Sequence, residues 1–198
     1  MKHYDIIIIG AGPGGIFAAY ELQKLDPSLK TAVFEAGHSL AQRRCPIDGK
    51  QVKACVNCKT CSIMSGFGGA GAFSDGKYNI TNDFGGTLHE HIGRQQALDL
   101  MKYVDTINMT HGGEGARLFS TAQTKYKKIC MQNGLKLLDA SVRHLGTDLN
   151  HVVLENLYKE LEPRVDFYFD TPVQSIAGDE GGYRIFTKDE EYHCAKCI

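Results

Sequence analysis

Two groups of residues in this chain have the types and spacing to do chemistry. The first is Gly10-Ala11-Gly12-Pro13-Gly14-Gly15, which follows the apolar run Tyr4–Ile9 and matches G-x-G-x-x-G. In that pattern the first glycine allows a sharp turn out of a strand. The second lets the backbone approach a pyrophosphate, and the last lets a helix pack closely on the strand. Pro13 suits a first helical turn, and the free N–H groups and dipole of such a helix start attract a phosphate anion. Glu35 closes the next apolar run, Thr31-Ala32-Val33-Phe34, and follows Gly15 by 20 residues. A carboxylate there accepts hydrogen bonds from a free ribose hydroxyl pair, which suits NAD and FAD equally. The second group is Cys45, Cys55, Cys58 and Cys61, the last three spaced by three. In a tight or helical turn this spacing gathers sulfurs on one side. It fits an iron–sulfur cluster, a zinc held by four thiolates, a redox-active pair, or reduced thiols with no ligand.

Other candidates are less specific. Asp75 and Lys77 follow the glycine-rich stretch 66–76 and read either as contacts to an anion or as a solvated turn. Arg143-His144 is a candidate for binding an anionic substrate. Cys194-x-x-Cys197 falls in an expected strand and reads as core.

The elements that position these groups follow from period and punctuation. Tyr4–Gly10 reads as a buried strand, Gly14–Leu25 as a helix ended by Asp26-Pro27, and Thr31–Glu35 as a second strand, together a βαβ unit. Residues 36–87 carry little periodicity, and a loop this long is expected to wrap a ligand. Helices are expected over 93–108, over 121–132, and from Asp148 or Asn150 to Glu162. Strands follow at 165–169, 172–176, 183–187 and 191–198. This order predicts an α/β, Rossmann-like fold: a parallel sheet, a β-meander and an inserted helical region. The expected divisions are 1–87 for the βαβ unit and ligand-wrapping loop, 88–164 for a helical, substrate-side insertion, and 165–198 for the returning strands.

Composition removes whole classes of function. A net charge of −1 over 198 residues offers no electrostatic footprint for nucleic acid or an anionic membrane. No stretch is apolar enough to span a bilayer. The first residues carry too little positive charge for a signal peptide, and glycines break their apolar part. Seven cysteines, an odd number, without such a signal fit reduced thiols in a cytoplasm. A small-molecule substrate is the expected partner.

The unit Tyr4–Glu35 resembles the FAD-binding domain of the two-dinucleotide-binding flavoproteins. Arg44-Cys45-Pro46, the three spaced cysteines, Gly66-Phe67-Gly68-Gly69-Ala70-Gly71-Ala72-Phe73-Ser74-Asp75-Gly76-Lys77 and Arg143–Asp148 resemble a group of bacterial FAD-dependent dehydrogenases of unassigned substrate. The resemblance implies a FAD/NAD(P)-binding fold and an oxidoreductase in which flavin accepts hydride from a small molecule or from NAD(P)H. It places the FAD pyrophosphate on Gly10, Gly12, Pro13, Gly14 and Gly15. The adenosine ribose falls on Glu35 and Ala36, with Arg43 or Arg44 beside phosphate or ribose. Gly68, Gly69, Ala70, Ser74 and Asp75 would pass the pyrophosphate and flavin, and the Val173 backbone would meet adenine. Members of that group are much longer, so the chain is expected to be an N-terminal portion that lacks a second flavin-binding turn.

Overall fold

The apolar run Tyr4–Ile9 forms most of strand β1 (Lys2–Ile9), in which Ile7 and Ile8 are buried. Helix α1 (Pro13–Leu25) starts with proline in its first turn, where no intrahelical N–H is lost. It ends at Asp26, because Pro27 disfavours helical geometry in the residue before it. All four residues of β2 (Thr31–Phe34) are buried, as a strand covered on both faces requires. The structure is a computed structural model that describes residues 1–122 and 124–198. After β2 come two short 3-10 turns, Leu40–Gln42 and Gly69–Phe73. Next are β3 (Lys77–Ile80), α2 (Leu88–Ile92), α3 (Arg94–Asn108), β4 (Leu118–Ser120), α4 (Tyr126–Gln132), β5 (Ser141–His144) and α5 (Gly146–Leu161). The chain closes with β6 (Val165–Tyr168), β7 (Ser175–Asp179), β8 (Gly182–Phe186) and β9 (Glu191–Cys197).

The chain divides into two units, one of residues Met1–Phe73 with Leu154–Ile198, the other of Ser74–Val153. The boundaries therefore fall inside the glycine-rich stretch and inside α5, not at 87/88 and 164/165. The first unit holds a six-stranded sheet in the order β6-β2-β1-β9-β8-β7. Strands β6, β2, β1 and β9 run parallel, with Ile7 opposite Ala32 on one side and Cys197 on the other. The meander β7-β8-β9 is antiparallel. Beyond β9 the pairing continues, since Ile9 N donates to Ile198 O and Ile198 N donates to Ile7 O, both at 2.9 Å. This is the expected Rossmann-like α/β arrangement.

One core cluster of the sheet buries Tyr4, Ile7, Ala32, Phe34, Ile185, Tyr192 and Cys194. Phe34 stacks on Tyr168 and meets Tyr192 edge-on, both with ring centroids 4.7 Å apart. A second aromatic group centres on Phe67, which meets Tyr158 at 5.1 Å and Phe167 at 5.8 Å. Phe67 thus anchors the long loop, because ring burial and edge-to-face contact are each favourable.

The second unit carries a three-stranded antiparallel sheet in the order β3-β5-β4. The helix expected at 93–108 is present as α3; the short α2 precedes it, separated by Gly93, whose φ of +88° lies outside helical space. The helix expected over 121–132 is reduced to α4; Gln123, within that range, lies outside the described residues. Arg143 and Asp105 form a two-pronged ion pair at 2.7 and 2.8 Å, each side chain 12% exposed. Among the described residues, no helix is long and apolar enough to cross a membrane.

Candidate cofactor site

The turn between β1 and α1 is shaped by its glycines. Gly10 has φ +102°, a region that side chains disfavour, and its N–H donates to Phe34 O at 2.7 Å. At Gly15 a Cβ would stand 1.9 Å from Gly10 O, so only glycine lets α1 start this close to β1. At Gly12 and Gly14, by contrast, a Cβ would meet nothing within 4 Å. The space in front of the turn is clear of protein, and no side chain caps α1. A helix start of this kind keeps N–H groups and a positive dipole end for an anion. The residues present therefore fit a pyrophosphate.

Glu35 is 7% exposed and organises this turn. One carboxylate oxygen accepts from Ala11 N at 2.8 Å; the other accepts from Gly37 N at 2.8 Å and Gly66 N at 2.9 Å. Three segments are thus tied to one carboxylate. Its capacity of about four acceptor sites leaves room for one further donor, such as a ribose hydroxyl. The long loop also meets the turn through Gly68 N, which donates to Ala11 O at 2.8 Å, and at Gly69, where a Cβ would lie 3.3 Å from Gly12 Cα.

Arg43 has a different role from the one the resemblance implied. It is 4% exposed, and its guanidinium donates to four backbone carbonyls: Ser62 and Ile63 at 2.8 Å, Phe67 and Gly69 at 2.7 Å. Burial holds its pKa below the usual value, opposed by the nearby Glu35 carboxylate. Arg43 therefore clamps residues 62–69 instead of presenting its donors to a phosphate. Arg44 is exposed.

Ala36 is exposed at the edge of a pocket of about 310 Å3, lined also by Lys59, Thr60, Asp170, Thr171 and Lys188. Asp170 and Thr171 are fixed there by N–H bonds to Gly37 O and Glu35 O, each 3.0 Å. Lys59, Thr60, Asp170 and Lys188 were missed from the sequence, since they come from three distant segments and match no motif. Val173, two residues on from Thr171, is half-buried and packs against the sheet's aromatic core. Ala70 is exposed in the turn Gly69–Phe73.

Ser74 and Asp75 belong to the second unit. Ser74 Oγ accepts from Gly76 N at 3.2 Å, and Asp75 pairs with Lys77 at 3.1 Å. Lys77 and His144 hold the Asp75 carboxyl below its ordinary range, with both partners exposed. Arg143, a candidate for an anionic substrate, gives its donors to Asp105 and to Ala116 O.

The metal expectation is corrected. Cys45, Cys55, Cys58 and Cys61 do line one pocket, of about 260 Å3. Yet among the described residues no three His, Cys, Asp or Glu side chains form a group that could hold a metal ion. A repeated spacing of three sets three sulfurs side by side along a helical turn, and residues 44–61 are irregular.

Comparison with known proteins adds to this geometry. No family model matches the chain, and no curated protein matches it. Among solved structures, the chain is similar over its whole length to glycine oxidase from Geobacillus kaustophilus, at 14% identity and a TM-score of 0.51. It is also similar over its whole length to NikD, an unusual amino acid oxidase essential for nikkomycin biosynthesis, at 10% identity and a TM-score of 0.51. It spans about half of each, 55% and 51% of their lengths. At such identities the likeness is one of fold: the chain has the Rossmann-like architecture of these oxidases.

Proposed function

We propose that this chain binds FAD and forms part of a flavin-dependent oxidoreductase, a dehydrogenase acting on a small organic molecule. The observation that carries this reading is the turn Gly10–Gly15, clear of protein at Gly12 and Gly14 and leading into an uncapped helix beside the Ala36 pocket. When bound, the flavin supplies the hydride-accepting chemistry, with a reduced substrate or a nicotinamide as donor.

The residues of the chain have positioning tasks in this reading. The N–H groups at the start of α1 hold the pyrophosphate. Glu35 keeps the turn in shape and offers its remaining acceptor capacity to the adenosine ribose, and the pocket at Ala36, Asp170 and Thr171 takes the rest of that nucleoside. Arg43 fixes the loop 62–69 so that Gly68 and Gly69 stay against the turn.

Titration of the purified chain with FAD, followed by flavin fluorescence, tests the proposal, with ADP and NAD as competitors. One FAD per chain, displaced by ADP more readily than by NAD, is the expected result. Gly12→Val should weaken FAD binding at least tenfold without loss of folding, since a side chain there meets only open space. A chain that is folded by circular dichroism and binds neither FAD nor ADP would overturn the reading.

A further inference from the structure

We propose that Cys58 and Cys61 form a dithiol site that exchanges with organic disulfides and closes a Cys58–Cys61 disulfide. All four thiols of the loop are unbridged and face one pocket that Pro46, Ile47 and Val56 also line. Among the described residues no group of three or more ligands is set for a metal ion, and a free thiol reacts as a nucleophile through its thiolate.

Geometry selects the pair. The chain bends at both residues between Cys58 and Cys61, Lys59 and Thr60, and at neither residue between Cys55 and Cys58. A disulfide needs Cα atoms about 4.4–6.8 Å apart, and bends at both intervening residues shorten the span between a segment's ends. Cys55 is drawn aside, its thiol 3.6 Å from Asn57 Oδ1.

The two thiols are unequal. Cys58 is exposed and meets an external disulfide first. Cys61 is half-buried, and its carbonyl accepts from Met64 N at 3.1 Å and Ser65 N at 2.8 Å. The Cys58 thiolate attacks one sulfur of R–S–S–R, forming a mixed disulfide and expelling the first RS−. Cys61 then loses its proton to solvent, and its thiolate displaces the second RS− from Cys58. The organic disulfide takes both electrons and becomes two thiols, and the protein pair loses two hydrogens; no other oxidant enters.

Trypsin cuts after Lys53, Lys59 and Lys77, so this disulfide would join peptide 54–59 to peptide 60–77. The full chain, treated with an aromatic disulfide such as 5,5′-dithiobis(2-nitrobenzoate), should yield that linked pair and release two aromatic thiolates for each link. Cys55→Ser should keep the link. Cys58→Ser and Cys61→Ser should lose it and retain a stable aromatic adduct on the remaining thiol; Cys58→Ser, at an exposed position, serves if Cys61→Ser fails to fold. Unlinked adducts on Cys58 or Cys61 of the unmodified chain, a link that survives in Cys58→Ser, or four thiols made unreactive by bound iron or zinc would each overturn the proposal. None of these readings depends on FAD.

Discussion

Replacing Arg43 separates a structural clamp from a phosphate ligand. Arg43→Lys keeps the charge but offers one compact ammonium in place of a planar fork, and that ammonium cannot reach Ser62 and Ile63 on one side and Phe67 and Gly69 on the other. At least two of the four bonds are lost. Hydrogen bonds to a charged group contribute about 1.5–3 kcal/mol each, so the loss is about 3–6 kcal/mol before relaxation. Arg43 is nearly inaccessible, so water replaces the missing bonds poorly, and we expect about 3 kcal/mol to remain. In a chain of this size that lowers the melting temperature by roughly 6–12 °C. The assay is thermal and urea denaturation without any nucleotide. An Arg43→Lys chain as stable as the parent, with only its FAD affinity reduced, would refute the clamp and return Arg43 to the phosphate.

Gly15→Ala is expected to cost at least about 2 kcal/mol, since its Cβ would fall 1.9 Å from Gly10 O and α1 must move off β1; urea denaturation reads it. Asp105→Ala should destabilise the chain by about 3–5 kcal/mol because it leaves the Arg143 charge largely buried, whereas Asp105→Leu with Arg143→Met should cost less than Asp105→Ala alone; paired denaturation curves give the comparison. Burial pushes the Cys194 thiol up to about 11, so its folded form holds a proton that the unfolded chain releases from its ordinary value of 9.0. The stability it contributes is therefore intact below 9.0 and lost as pH rises from there to about 11; stability against pH for Cys194→Ala should lack that fall.

The β1-α1-β2 unit was legible in sequence because everything that makes it is local: an apolar run, a glycine turn, a proline in the first helical turn and a proline after the last. Strands β3, β4 and β5 were not. Each has three or four residues, and Tyr78 finds its partner in Arg143, so no period announces the pairing. Arg43 shows a different limit. The resemblance set it beside phosphate or ribose, but the fold buries it among carbonyls, and carbonyls carry no mark in sequence. The Ala36 pocket has the same character, with walls from around residues 59, 170 and 188 that meet only in three dimensions. The cysteine spacing was legible while its meaning was not, because a repeated spacing of three sets three sulfurs as one ligand group along a helical turn but not along an irregular loop.

The place of β9 sets the order in which the chain can fold. Strand β9 lies between β1 and β8, so β1, made first, is completed on that side only by β9. During synthesis, α1 and β2 can assemble on β1 early, but the other edge of β1 stays open until residues 191–198 emerge. The meander cannot join the sheet before that, because β8 reaches β1 only through β9. Closing contacts across nearly the whole chain is slow, and the waiting species exposes an apolar strand edge. The susceptible interval for misassembly therefore lasts until residues 191–198 have emerged.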